Sequence, residues 1–381
     1  MAITRRELLG LGAAALAARP TFAQEPPPAL DPPEPYFTPQ EKFRDVSRGK
    51  PLPHQLSPEK RADVGLTRET WKLEVIADPD NPPKLGKPLT KGAGTALDWE
   101  GLLRLGERKA VKIPKIMTCN NIGRPLGMGL WEGVPLREIL WMTDPREDLR
   151  RIFYYGYHND DPKQMFRSSL PVARVLEDPP GMPPVIVCYK LNGQYLTPER
   201  GAPVRMVVPE AYGFKSVKWL THVILTNLAV ANDTYMEGNN DIDSPMKTFA
   251  RTLSLKKDAR AGEAIRVWGV AQVGISGLSK VQVSVVPSDP KWPEDDPYFA
   301  KAPWKDAELQ PPPRAWDGTP ARWPMPFTKA HWTAELPGMA EGTYTFRCRS
   351  IDGNGIAQPM PRPFQKSGQT QIEEATLTVR A

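Results

Sequence analysis

The chain has little cysteine and little histidine. Three Cys (Cys119, Cys188 and Cys348) in 381 residues cannot build a disulfide framework, and an odd count leaves at least one free thiol in any pairing. Four His without CxxC or HxxxH spacing argue against a structural zinc site, which needs several soft ligands converging. No stretch reaches the roughly 18–20 consecutive apolar residues of a transmembrane helix, so no membrane span is expected in the mature chain. An excess of one charge is lacking too, with 50 Lys and Arg against 44 Asp and Glu for a formal +6. The basic residues are scattered rather than striped, and no RNP, helix-turn-helix or finger pattern occurs, which discounts nucleic acid as a partner.

Proline is abundant, at 44 residues, about twice the usual ~5%. Eleven Trp and a 40% hydrophobic fraction nevertheless exclude a mostly disordered chain. The length exceeds the ~250–300 residues at which single cores stop growing, so two domains are expected.

Residues 1–23, MAITRRELLGLGAAALAARPTFA, open with Arg5 and Arg6, continue through an apolar run from Leu8 to Ala18, and end on Thr21-Phe22-Ala23. A charged start, a short apolar segment and a small-residue end describe a secretory leader, and the paired arginines make it the twin-arginine type. The bland alternative is a short amphipathic helix with a chance Arg pair. Export through the twin-arginine route implies a periplasmic protein, folded and commonly cofactor-loaded before translocation. Loss of this leader takes the formal charge from +6 to +4.

From Gln24 to Leu66 the chain is Pro-rich and charged, a composition that favours extended, solvated backbone and reads as an arm. Ordered structure is expected from about residue 67, where Trp71, Leu73 and Val75 alternate with Lys72 and Glu74 in strand period. Asp98 stands as an N-cap before an apolar-periodic helix. VKIPKIMTC over 111–119 reads as a strand ending on Cys119, and PLREILWM from Pro135 as a short helix. Over 183–196, PPVIVCYKLNGQYL is an apolar strand followed by an Asn-Gly turn, a strong hairpin signal. After about Thr248 several short segments with period-two alternation (IRVWGVAQV, KVQVSVVP, HWTAELP, GTYTFRCRS, EEATLTVRA) suggest a β-sandwich of immunoglobulin type over 249–381. Tyr344, Phe346 and Cys348 share one face of such a strand, which makes Cys348 a core residue.

Three segments together resemble the sulfite oxidase family of molybdenum-pterin enzymes. In MTCNNIGRPLGMGLWEGVPLREIL (117–140) a cysteine closes a strand, a polar loop follows, and Trp-x-Gly-Val-Pro-Leu leads into a helix. LNGQYLTPERGAPVRMVVPEAYGFKSVKWL (191–220) is similar to the family's pterin-binding stretch, and the last 130 or so residues to its dimerisation domain. The resemblance implies an α+β fold, with a mixed α/β molybdopterin-binding domain over 67–248 followed by the immunoglobulin-like domain and a homodimer. It also implies an oxidoreductase carrying Mo-molybdopterin.

Carried over residue by residue, the resemblance places the metal's thiolate ligand at Cys119. A thiolate is a soft donor suited to a thiophilic metal; the alternative is a buried structural thiol, the reading kept for Cys188 and Cys348. Arg200, Arg205 and Lys218 fall at phosphate-binding positions, where guanidinium forks and an ammonium suit phosphate oxygens. Arg205 and Lys218 are expected to serve pterin retention rather than fold stability. Ser216 and Val217 are expected to offer backbone contacts, and Tyr157 and His158 to border the pterin. Arg124, five residues after Cys119, and Tyr235 are the implied catalytic pair, one neutralising an oxyanion and the other hydrogen-bonding an oxygen.

The chain also departs from that pattern. The family's Cys-Ala-Gly-Asn run reads Cys119-Asn120-Asn121-Ile122-Gly123 here. The N-terminal Arg-Asn-His motif has only Arg44 and Arg48 near it, and GVAQVGISGLSK lacks the arginine expected of a sandwich loop. The expected activity is therefore oxygen-atom transfer on sulfite or a related small sulfur-containing substrate, with free sulfite handled poorly. No CxxCH heme motif occurs, so electrons would pass to a separate cytochrome. The alternatives are a sulfane dehydrogenase subunit, a sulfoxide reductase, or a cofactor-free binding relative.

Overall fold

The structure, a computed structural model, describes residues 32–231, 233–236, 240–243, 245–313, 320, 322–360, 366–368 and 370–381. The expected leader and the start of the arm lie outside them. Residues 72–226 form ten strands: β1 (Lys72–Ala77), β2 (Leu97–Asp98), β3 (Val111–Met117), β4 (Gly127–Pro135), β5 (Arg151–Gly156), β6 (Arg167–Pro171), β7 (Ile186–Leu191), β8 (Gln194–Tyr195), β9 (Arg205–Val207) and β10 (Leu220–Thr226). The helices among the described residues are short: α1 (Pro58–Asp63), α2 (Trp99–Lys109), α3 (Leu136–Trp141) and α4 (Val172–Leu176).

One sheet runs β2-β1-β10-β5-β6, with β1 parallel to β10 and the other pairs antiparallel. The other runs β3-β4-β7-β8, with β9 also on β7. The alternation read from Trp71 holds, since Trp71, Leu73 and Val75 are buried while Lys72 is exposed. Asp98 caps α2 by accepting the Gly101 N–H at 2.8 Å. Asn192 (φ 54°) and Gly193 (φ 79°) make the turn between β7 and β8, the left-handed pair that a two-residue hairpin needs.

β7 explains its own unbroken apolar run. Val187 and Tyr189 face a core shared with Leu73, Leu102 and Ile139, whereas Ile186 and Cys188 face a second core with Phe43, Met117 and Trp131. A strand covered on both faces has no polar side to show.

After residue 248 the strands pair only with one another. β11 (Phe249–Leu255), β13 (Ile265–Gln272), β17 (Lys329–Leu336) and β16 (Glu308–Leu309) form one sheet in the order β11-β13-β17-β16. β12 (Asp258–Arg260), β19 (Glu373–Arg380), β18 (Gly342–Ile351), β14 (Lys280–Pro287) and β15 (Lys305–Asp306) form the other, in the order β12-β19-β18-β14-β15. Val267 and Trp332 of the first meet Val281, Phe346 and Leu377 of the second in one core, with Cys348 buried among them as expected.

The arm departs from its solvated reading. Tyr36, Phe43 and Leu66 are buried. Thr38 N–H donates to Met128 O and Arg44 N–H to Leu126 O, which lays the arm along β4 and the loop before it. Near its start Glu34 pairs with Lys329 and with His331 of β17. Proline supplies extended backbone, but a few large apolar side chains decide that this backbone lies on protein rather than in water.

Candidate functional site

A cavity of about 410 Å³ opens where the arm, the loop after β3, the end of β5 and the stretch between β9 and β10 converge. Its wall contains Cys119, Arg200, Arg205, Ser216, Val217, Lys218, Tyr157, His158 and Tyr235. Nine of the ten residues expected at the site are thus brought together from positions over a hundred residues apart. Arg124 is the exception: it is exposed and not part of the wall. Arg251 of β11 takes the Gly123 carbonyl at 3.2 Å, and the loop turns Arg124 outward beside that second guanidinium, whose pKa is lowered by burial and by the Arg124 charge.

The cationic end is built by close backbone approach. A Cβ on Gly156, at the end of β5, would come 2.0 Å from the Lys218 carbonyl, and one on Gly201 (φ 101°) would come 2.9 Å from Lys218 Cβ. Only glycine at both positions lets Lys218 sit against Arg200 and the β5 edge. Arg205 is buried and donates to Arg200 O at 3.1 Å and to Ser216 O at 2.6 Å. Burial, with a further push from Arg200, lowers its pKa to about 10. Burial and the Arg205 charge likewise bring Lys218 down to about 8. Arg200 is buried too, and its Nε has no hydrogen-bond partner. Three crowded cations with an orphaned donor make a site that gains from an anion.

Part of that need is met from the arm. The Lys218 ammonium donates to Asp45 Oδ1 at 2.8 Å and to Ser47 Oγ at 2.7 Å. Against the upward pull of partial burial, bonds from Lys218 and Ser47 hold the Asp45 carboxyl at about 2. Phe43, Arg44, Val46, Arg48 and Gly49 also line the cavity, so the arm closes one side of the site. Arg44 and Arg48, only near a motif in the sequence, are wall residues in the fold.

Two expectations need correction here. Ser216 does not offer its backbone to a ligand: its N–H donates to Gly213 O and its carbonyl accepts from Arg205, while its hydroxyl accepts from Val208 N–H. The Val217 carbonyl accepts from Met206 N–H. Arg205 is also not a retention residue alone, because its guanidinium donates to three main-chain carbonyls, those of Arg200, Met206 and Ser216, and so holds the fold. Tyr157 and His158 border the cavity, with Tyr157 N–H on Trp219 O at 2.9 Å.

At the opposite end β3 stops at Met117, two residues short of the expected boundary, and Cys119 stands in the following loop, half-buried. Its thiol donates to Asn121 Oδ1 at 2.6 Å. Cys188 and Cys348 are fully buried, and burial pushes the Cys188 thiol up to about 12 and Cys348 further still. Cys119 is the one thiol in the chain placed to meet a ligand. The Tyr235 hydroxyl lies 3.2 Å from Asn120 Oδ1 and its ring stacks on Phe214 at 5.0 Å. Burial, with the neighbouring Cys119, raises the Tyr235 pKa. The turn that carries it is anchored by buried Asp233, which accepts from Lys215 Nζ at 2.8 Å and Ser169 N–H at 3.0 Å.

In the sequence Asn120 was read only as part of a departure, and Asp45 and the Lys215–Asp233 pair went unread. Lys115 did too: it is fully buried, donates to Pro209 O and Ala211 O at 2.8 Å, and is brought down by burial to about 7. A lysine at an inward position of an apolar strand was the available signal.

The residues fit a phosphorylated, thiolate-bound metal cofactor. The cations and the orphaned Arg200 Nε suit a phosphate, and the single accessible thiol suits a soft metal. Comparison with known proteins agrees. Residues 97–234 match the oxidoreductase molybdopterin binding domain. The chain is 29% identical over 215 residues to mitochondrial sulfite oxidase of Drosophila melanogaster, covering 55% of this chain and 34% of that protein. It is 31% identical over 102 residues to an NADPH nitrate reductase of Beauveria bassiana, 27% of this chain and 11% of the relative. The chain thus spans about a third or less of these relatives. The fold is similar to that of the sulfane dehydrogenase SoxCD from Paracoccus pantotrophus, with a TM-score of 0.62, 16% identity, and 87% and 86% of the two chains covered.

Proposed function

Since the chain belongs to the sulfite oxidase family, whose cofactor is Mo-molybdopterin, we propose that it is an exported oxidoreductase acting on a small sulfur compound and passing electrons to a separate cytochrome. One observation carries this reading: Cys119 shares a single cavity with Arg200, Arg205 and Lys218. When bound, the cofactor supplies two-electron oxygen-atom chemistry at the metal. The chain's own residues do the rest. Arg200, Arg205 and Lys218 would hold the phosphate end, beside Asp45, which already accepts from Lys218. Cys119 supplies the thiolate. Phe43, Phe166 and Phe214 give the wall apolar surface, and Arg44 and Arg48 give the cavity a positive rim that draws in anions.

The loss of Arg124 from the wall favours a substrate other than free sulfite. A small dianion leans on buried charge-assisted bonds, each contributing about 1.5–3 kcal/mol, and Arg44 and Arg48 are exposed. The fold likeness to a sulfane dehydrogenase supports the runner-up, oxidation of a carrier-bound sulfur. The twin-arginine leader, the boundary at residue 249, an immunoglobulin-like second domain and a homodimer complete the proposal. Molybdenum and pterin analysis of protein made with its own leader tests the core of it, with about one metal per chain expected. Steady-state kinetics with sulfite and an artificial acceptor test the substrate; a low-micromolar KM with rapid turnover would restore plain sulfite oxidation.

A further inference from the structure

We infer that Asn120 is a specificity-determining residue, because it takes the Tyr235 hydroxyl proton and leaves Tyr235 facing the cavity as a hydrogen-bond acceptor. The inference rests on the functional reading above and narrows its substrate class. Asn120 is buried, at 2% exposure, and lies in the cavity wall directly after Cys119. Its Nδ2 donates to Lys366 O at 3.3 Å, and a carbonyl can only accept. That contact fixes which end of the amide faces which way, so the end 3.2 Å from the Tyr235 hydroxyl is Oδ1, an acceptor. The hydroxyl must therefore donate to it. A phenol has one proton; once that is committed, only lone pairs remain for a ligand.

The ring has little freedom to escape this arrangement. Phe214 stacks on it at 5.0 Å, Phe166 meets it edge-on at 6.2 Å, and the Lys366 ammonium stands 5.2 Å from its centroid. Lys366 thus holds both partners, its carbonyl orienting the amide and its side chain covering the ring. The arrangement is set by Asn120, the residue directly after Cys119, and by Lys366. Its consequence is chemical. Tyr235 accepts from a group that carries a proton, such as a thiol, a persulfide or an S–OH, and gives nothing to a fully deprotonated oxyanion.

The test uses sulfate, which has acceptors only, titrated calorimetrically into the purified holoprotein. Tyr235→Phe alone is expected to change the sulfate Kd less than about twofold. Asn120→Leu frees the hydroxyl to turn, and sulfate is expected to bind about tenfold tighter, a gain that Tyr235→Phe in the same background abolishes. The hydroxyl itself is read from the tyrosine Raman doublet in a difference spectrum against Tyr235→Phe. It should report a donor in the native protein and lose that character in Asn120→Leu. A tenfold or greater loss of sulfate affinity in Tyr235→Phe alone overturns the inference, and needs no change at Asn120 should the Leu variant fail to fold. A protein lacking molybdenum defeats the functional reading but leaves the Raman measurement standing, so the two failures are distinguishable.

Discussion

The two ends of the cavity solve different problems with different materials. At one end Arg200, Arg205 and Lys218 crowd together, their charge only partly offset by Asp45 from the arm. At the other, neutral end the Cys119 thiol donates to Asn121 and the Tyr235 hydroxyl to Asn120. The cationic end is held by main-chain carbonyls and close glycines, so it is rigid before any ligand arrives. The neutral end is tied to the other half of the chain, with the Arg251 guanidinium donating to the Gly123 carbonyl and the Asn120 amide to the Lys366 carbonyl. A site that must grip one fixed group needs charge. A site that must tell substrates apart needs oriented hydrogen bonds.

The sharpest way to separate the ends is to remove the thiol. Cys119→Ser replaces a soft donor by a hard, protonated one without disturbing a core, since Cys119 is only half-buried. Losing a partner one shell away from a metal typically costs 10–100-fold, and a direct ligand more, so turnover with an artificial acceptor should fall by at least about a hundredfold. Pterin content and the far-UV spectrum should stay near native, because the cationic end is untouched. Near-native turnover in this variant would show that the two ends are not parts of one site.

The cationic end should break in two distinguishable ways. Arg205→Ala strips donors from Arg200 O and Ser216 O in a buried setting, and leaving such carbonyls unsatisfied costs about 1–3 kcal/mol each. This variant should lose both stability, seen in denaturant midpoints, and pterin. Lys218→Ala leaves its partners Asp45 and Ser47 near solvent, so pterin retention should fall while the midpoint moves little. Equal midpoint losses in the two variants would erase the distinction between a structural cation and a gripping one.

How much of this was legible in advance depends on range. The Asn192-Gly193 turn, the Asp98 cap and the alternation of β1 are local, and local chemistry dictates them. The cationic end was legible because its residues bracket one short strand, β9, in a recognisable stretch. The arm was not, because the surfaces that receive Tyr36 and Phe43 are assembled from strands far along the chain, and composition alone reports only that proline extends backbone. Arg124 was misplaced for a similar reason. A five-residue spacing from Cys119 says nothing of which way an irregular loop turns, and the residue that turns it, Arg251, lies in the other half. Asn120 could be seen as a departure, but its role needed Lys366, a partner 246 residues away.

A smaller effect is expected from pH. In the cofactor-free protein Lys218 has a pKa of about 8, so it carries its charge below that pH and sheds it above. Sulfate, whose own charge is constant over this range, should bind the empty cationic end more weakly as pH rises past 8, and Lys218→Arg should flatten the profile because guanidinium keeps its proton. Asp45 works in the other direction and at acid pH. Its carboxyl is depressed to about 2 from a usual ~3.9, so its link between arm and Lys218 is present above about pH 4 and is lost as pH falls towards 2. Proteolysis of the arm between Phe43 and Gly49 should become faster over that acid window in the native protein, and should already be fast at neutral pH in Asp45→Asn. A sulfate profile flat through pH 8 would mean that Lys218 is not the cation a ligand meets.

The smallest effect belongs to Arg124, and it is the most discriminating for the placement of the neutral end. Its spacing from Cys119 makes it the first choice for neutralising a substrate oxyanion, and on that role Arg124→Ala would raise KM about tenfold or more, the cost of one charge-assisted contact. In the fold it is exposed, outside the cavity wall, and beside Arg251, whose pKa is lowered by burial and by the Arg124 charge. Removing an exposed charge that repels a neighbour should leave stability within about 0.5 kcal/mol of native, or improve it slightly. The KM for a charged substrate should shift less than about twofold, by weakened long-range attraction that 0.5 M salt removes in the native protein as well. Arg251→Ala is the informative companion. It releases the Gly123 carbonyl, bonded at 3.2 Å, and with it the loop that sets Asn120 beside Tyr235, so it should raise KM more than Arg124→Ala does. A large, salt-insensitive KM increase in Arg124→Ala alone would place that guanidinium at the substrate and require the loop after β3 to turn inward when the cavity is filled.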